Sequence, residues 1–154
     1  HVRQKMKTNE AARELIKKSE GLKLKAYICP AGVPTIGYGS TFYPDGKWVK
    51  IGDIITQEKA DKMLNYTLES FEKQIRYLLS RELNHNQFSA LVSFAFNIGL
   101  GALKKSTLLK KINANRRDPS IRNEFNRWVH ANGKVLPGLV TRRKAEADLY
   151  FTKS

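Results

Sequence analysis

Between Lys25 and about Ile55 the chain loses helical period and is punctuated by turn formers. Pro30, Gly32, Pro34, Gly37, Gly39, Pro44, Gly46 and Gly52 recur through it. Between them lie short runs such as TIGYGSTFY and KWVKIGDII, rich in β-branched and aromatic residues. Runs of that length, separated by turn residues, predict a small antiparallel sheet, with PDG as one of its turns. A glycine-rich sheet set among helical patterns restricts the chain to an α+β architecture.

The flanks are helical. TNEAARELIKKSEG predicts a first helix, capped by Thr8 or Asn9 and stopped at Gly21, with Ala11, Leu15 and Ile16 as its apolar stripe. Thr56 caps a long amphipathic helix in which Ala60, Leu64, Leu68, Phe71, Ile75 and Leu78 recur at steps of three or four. It is predicted to run to about Arg81, roughly 25 residues or about 38 Å. NQFSALVSFAFNIG carries an almost fully apolar face and predicts the central core helix, ended by Gly99 and Gly101. Ser106 caps KKSTLLKKIN, and Asp118-Pro119 opens SIRNEFNRWVH. The loop ANGKVLPG leads into the last helix, LVTRRKAEADLYF.

The expected organisation is one domain over 1–154. A small N-terminal lobe with a β-hairpin sheet spans about 8–56, a bridging helix 56–82, and a helical C-terminal lobe 83–154. Two joined lobes of this kind usually leave a cleft. The length of 154 residues suffices for a real core without disulfides or metal. The single cysteine cannot form an internal disulfide, and no Cys/His spacing suggests zinc, so neither metal nor cofactor is expected. His85 and His130 read as surface or capping residues. No run approaches ~20 consecutive apolar residues, so no bilayer span is expected. The opening HVRQKMKTNE lacks the apolar core of a signal peptide. The chain starts at His1 rather than Met, which leaves an upstream export or signal-anchor segment open. Lys and Arg total 28 against 14 acids, a net charge of +14, which attracts polyanions. Anionic envelope polymers fit that charge. Nucleic acid rests on charge alone, without a recognised motif, and is not expected as a partner.

The chemistry concentrates in SEGLKLKAYICPAGVPTIGYGST, residues 19–41. Glu20 lies at the carboxyl end of the first helix, where the dipole disfavours a second negative charge and Lys17 and Lys18 offset it in part. A carboxyl that keeps its proton suits a general acid; the bland reading is an exposed glutamate beside a helix stop. Cys29 reads as a small buried hydrophobe or as a nucleophile or water-binding group. Thr35 alone reads as a strand residue.

Taken together, the three form E-x8-C-x5-T followed by IGYG, and this resembles the phage-type lysozymes, the T4-like and lambdoid endolysins of glycoside hydrolase family 24. QFSALVSFAFNIG resembles the family's core helix. RWVHANGKVLPGLVTRRKAEADLY resembles its late segment with the PGL-x-x-RR-x-x-E run. Three blocks in the right order cover most of the chain, and the pattern is closer to the lambdoid type. Two positions depart from common members: Cys29 stands where many carry aspartate, and Ser40 where GYGHT is frequent.

The resemblance implies a lysozyme-like fold and a catalytic triad of Glu20, Cys29 and Thr35. Glu20 is then the acid, while Cys29 and Thr35 hold water on the opposite face of the sugar. The implied reaction is inverting hydrolysis of the β-1,4 bond between N-acetylmuramic acid and N-acetylglucosamine in peptidoglycan, by a monomer. Direct attack by Cys29, with retention, is the alternative. Glu20 nearby is expected to discourage ionisation of the thiol. By alignment of the blocks, Thr41, Phe96 and Asn97 line the sugar groove, and Arg142 or Arg143 steadies Glu20. Against this stand Phe96 as ordinary core and both arginines as solvated. Trp48 and Trp128 are sugar-stacking candidates, Trp128 reading rather as core. The resemblance also implies accumulation in a host cytoplasm and release to the periplasm and cell wall. A basic wall-binding protein with this fold but no turnover is the non-enzymatic alternative.

Overall fold

The computed structural model describes residues 6–153. The expectation about the opening residues therefore lies partly outside the described residues. The order is α1 (Glu10–Glu20), β1 (Lys23–Ile28), β2 (Pro34–Gly37), α2 (Gln57–Leu78), α3 (His85–Ile98), α4 (Leu100–Lys105), α5 (Thr107–Ala114), α6 (Ile121–Asn126), β3 (His130–Ala131), β4 (Lys134–Val135) and α7 (Pro137–Tyr150). Lys17–Ser70 form one compact unit. The described residues up to Ile16, with those from Phe71 onward, form the other. Among the described residues no helix is long and apolar enough to cross a membrane.

In the smaller unit, β1 and β2 pair antiparallel, with Tyr27 opposite Thr35 and Ile28 opposite Pro34. The rest of the predicted sheet is reduced to isolated bridges, Lys25 to Ile54, Ile36 to Ser40 and Phe42 to Trp48. The reason is the glycine spacing: Gly37, Gly39, Gly46 and Gly52 all take positive φ, so the backbone turns before a ladder can extend. The PDG turn forms, with the Gly46 amide donating to the Tyr43 carbonyl at 2.8 Å. Ser40 exchanges both backbone hydrogen bonds with Ile36, at 2.9 and 2.8 Å. Ile36, Tyr38, Val49, Ile55, Ala60, Met63, Leu64 and Leu68 make the unit's core.

The helix α2 begins as expected, the Lys59 amide donating to the Thr56 hydroxyl at 3.1 Å. It stops at Leu78, after 22 residues, rather than near Arg81. A neighbour ends it: the Asn113 side chain donates to the Leu78 carbonyl at 3.0 Å and accepts the Ser80 amide at 2.9 Å. This satisfies the groups another turn would have used.

In the larger unit, Asn9 caps α1 by accepting the Ala12 amide at 3.1 Å, while Thr8 donates to buried Glu72. The buried residues of α1 are Ala12 and Ile16; Leu15 is half-buried and Ala11 faces out, a correction of one residue in the stripe. Residues 87–95 of α3 are all buried. Asn84 and Gln87 close a capping box at its start, and Gly99, at φ 96°, ends it. Gly101 does not act as a stop; it lies inside α4. Ser106 caps α5 by accepting the Leu109 amide at 3.0 Å.

The segment SIRNEFNRWVH is helical only over Ile121–Asn126. Asp118 accepts both the amide and the hydroxyl of Ser120, forming a turn ahead of the helix. Trp128 then leaves the helix to set its edge against Phe94, with centroids 5.7 Å apart. The loop ANGKVLPG contains a small hairpin, β3 with β4, whose Asn132-Gly133 corner has φ of 52° and 76°. Positive φ at both corner residues is the geometry of a tight type I′ hairpin turn. Pro137 opens α7, where its missing amide costs no hydrogen bond.

Candidate active site

Glu20, Cys29, Thr35 and Thr41 all belong to the smaller unit. Glu20 is the last residue of α1 and is half-buried. The helix ends there because Gly21 takes φ 75°, its amide donating to the Lys17 carbonyl at 2.9 Å. The loop after β2 approaches the carboxylate closely. A Cβ built on Gly39, at φ 91°, would sit 3.9 Å from Glu20 Oε1. Lys17, expected to offset Glu20, is paired with Asp61 at 3.5 Å, and Asp61 also accepts the Tyr38 hydroxyl at 3.1 Å.

Cys29 follows β1 directly and starts a tight connection to β2. Its amide donates to the Val33 carbonyl at 3.0 Å, and its carbonyl accepts the Gly32 amide at 2.8 Å. The antiparallel register then brings Thr35 back to the same end of the hairpin. Thr35 is buried, and its hydroxyl donates to the Val33 carbonyl at 2.9 Å. The thiol lies below its ordinary value, chiefly through a hydrogen bond with the Thr35 side chain, then through the Val33 and Ala31 backbone. This corrects the expectation that the neighbourhood would discourage ionisation: the hairpin's donors favour the thiolate. Cys29 is half-buried, not the sealed hydrophobe of the bland reading.

Thr41 is half-buried and its carbonyl accepts the Val49 amide at 2.9 Å. Trp48 is 67% exposed beside Phe42, so it is free of the core and available to a ligand. Trp128 is half-buried on Phe94.

Phe96, Asn97 and Arg142 belong to the larger unit. Phe96 is half-buried, its ring 5.5 Å from that of Phe71, and Asn97 is exposed at the end of α3. Arg142 and Arg143 are not solvated; both are buried. Arg142 donates to Glu146 at 3.2 Å and to the Ser93 carbonyl at 3.1 Å. Arg143 Nε stands 2.8 Å from Glu146 Oε1, and its Nη2 donates to Asn97 Oδ1 at 2.9 Å. Glu146 and Gly39 were missed by sequence reasoning. The Arg-Arg-x-x-Glu spacing carried a signal for Glu146, since residues three and four apart on a helix meet. Nothing local marked Gly39. Among the described residues no cluster of His, Cys, Asp and Glu is arranged to hold a metal ion.

The chain has relatives over most of its length. The phage lysozyme family model matches residues 17–146. The chain is 43% identical over 152 residues to the endolysin of Bacillus phage B103, covering 96% of this chain and 55% of that protein. It is 42% identical over 149 residues to the endolysin of Acyrthosiphon pisum secondary endosymbiont phage 1, covering 94% and 98%. It thus spans about half the length of the first relative and nearly all of the second. The endolysin from Escherichia coli O157:H7 phage FAHEc1 superimposes with a TM-score of 0.86 at 36% identity, over 97% of this chain and 96% of that one. The chain belongs to the phage lysozyme family. It carries a lysozyme-type glycoside hydrolase domain.

Proposed function

We propose that the protein hydrolyses the β-1,4 bond between N-acetylmuramic acid and N-acetylglucosamine in peptidoglycan, with inversion, and that it serves host lysis. The observation that carries this reading is the β1–β2 hairpin. It sets the Cys29 thiol against the Thr35 hydroxyl, and a half-buried acid at a helix end precedes β1 by a two-residue turn. In this reading Glu20 protonates the leaving oxygen. Cys29 and Thr35 hold the attacking water on the other face of the sugar. The lowered thiol adds a role for Cys29 as proton acceptor from that water, where relatives in the family use a carboxylate. Thr41, Phe96 and Asn97 contact the glycan.

The net charge of +14 supports concentration of the enzyme on anionic envelope polymers. The site of action is the cell wall, reached from the host cytoplasm, with an export segment as one route.

The test is digestion of purified peptidoglycan followed by analysis of the fragments. New N-acetylmuramic reducing ends that form first as the α-anomer are expected. Anhydro ends would make the protein a lytic transglycosylase, β-anomers formed first would replace inversion by attack from Cys29, and binding without new ends would leave a wall-binding protein.

The thiol gives a second check. Its reaction rate with iodoacetamide is expected to reach half its maximum at a pH below 9.0, because the folded hairpin lowers the thiol from that value. Alkylation should abolish turnover in parallel. Full turnover after complete alkylation would remove Cys29 from the site.

A further inference from the structure

We infer that Arg143 is a positioning residue that turns the Asn97 side chain so that only its amide donors face the substrate. This rests on the reading of Asn97 as a glycan contact. A guanidinium has five donors and no acceptor, so the atom of Asn97 that meets Arg143 must be its oxygen. Arg143 Nη2 donates to Asn97 Oδ1 at 2.9 Å. The amide nitrogen therefore points away from Arg143, and Asn97 is exposed at the end of α3. Nδ2 meets no acceptor among the described residues.

Arg143 is itself immobile. Its side chain has 0% exposure. Glu146 Oε2 accepts from its Nη2 at 3.3 Å, and Oε1 lies 2.8 Å from Nε as an ion pair without a hydrogen bond. The guanidinium also lies 5.0 Å from the centre of the Phe94 ring. Glu146 is anchored in turn by the Ser93 hydroxyl at 2.6 Å. A free asparagine presents its oxygen or its nitrogen with little preference. Here a buried charge chooses for it, and the choice is made before substrate arrives. The group recognised must offer an acceptor oxygen, and the acceptor we assign in peptidoglycan is a carbonyl oxygen. Both the N-acetyl groups of the sugars and the stem peptides carry one.

Asn97→Asp separates orientation from structure. The aspartate still offers Arg143 an oxygen, now charged, but it presents a second oxygen outward instead of the NH2. Asn97→Leu removes both functions. For Asn97→Asp the expected result is a Tm at or above wild type, kcat within about twofold, and KM on soluble peptidoglycan fragments raised about tenfold, the loss of one neutral hydrogen bond. For Asn97→Leu both Tm falls and KM rises. A raised KM for Leu with an unchanged KM for Asp would overturn the fixed orientation while leaving Asn97 as a glycan contact. An unchanged KM in both would remove Asn97 from the glycan, and the inference with it. A lowered Tm for Asp would show that Arg143 does not hold the oxygen, which also overturns it. Repeating the comparison on glycan strands stripped of stem peptides assigns the acceptor. A KM rise that persists identifies an N-acetyl carbonyl. One that vanishes identifies a peptide carbonyl. Either result supports the orientation.

Discussion

Replacing Glu20 with Gln should leave the fold unchanged and lower turnover of peptidoglycan by about a hundredfold or more. Glutamine keeps the shape and volume of the side chain but has no proton for the leaving oxygen. General acid catalysis by one group is worth about 10²–10⁴ in rate, which sets the expected size. Glu20 ends α1 and is half-buried, so the isosteric change creates neither a cavity nor a clash. Fragment release measured beside thermal unfolding checks the result. A variant within tenfold of wild type would remove Glu20 as the acid. A variant that is inactive but also much less stable would show only that the residue supports the fold. The close passage of Gly39 predicts a related sensitivity in the loop. A side chain there would have to adopt φ 91°, which is strained for any residue but glycine, beside the carboxylate.

Replacing Glu146 with Ala should give the largest loss of stability, about 3–5 kcal/mol. Glu146 is fully buried between two arginines that are themselves buried. Its oxygens receive the Ser93 hydroxyl and Arg142 Nε, and both face Arg143. Burial pushes the Glu146 carboxyl up, and Arg143, the Ser93 hydrogen bond and Arg142 pull it back down. Desolvation and pairing oppose each other in this cluster, so the ion pairs need not add net stability over an apolar core. Removing the one acid is different, because it takes the shared carboxylate away from two buried guanidinium groups at once. At about 2–4 °C per kcal/mol for a chain of this size, Tm should fall by roughly 6–20 °C. Denaturant melts of Glu146→Ala, Arg143→Met and the double variant supply the check. The double variant should be less destabilised than the sum of the singles. Additive losses would mean that Arg143 and Glu146 are not coupled.

The proposed catalytic stretch was legible as one unit because it is local. Glu20, Cys29 and Thr35 lie within sixteen residues of one another in sequence, and a helix stop followed by a hairpin is enough to bring them to one unit. The helix caps at Asn9, Thr56 and Ser106 and the turns at Asp45-Gly46 and Asn132-Gly133 are local for the same reason. Their hydrogen bonds connect residues three or four apart, so residue type and spacing carry them.

What lay beyond the sequence was decided by contacts between distant residues. Asn113 ends α2 from 35 positions away. Phe94 draws Trp128 out of the helix that its surroundings predicted. The direction in which the thiol shifts depended on which groups donate to it once the hairpin closed, Thr35 first among them. Arg142 and Arg143 are the clearest case. In a chain with 28 basic residues, two adjacent arginines look like solvent-facing charge. Their burial follows only from α3 and α7 packing together, which places Ser93 and Asn97 some 50 positions away against them. The sequence by itself determined the family, the main helices and the β1–β2 hairpin, since these follow from local pattern. The tertiary structure alone decided which charges are buried, in which direction the thiol is shifted and which way Asn97 faces. Each of those is a competition between desolvation and a partner supplied from elsewhere in the chain.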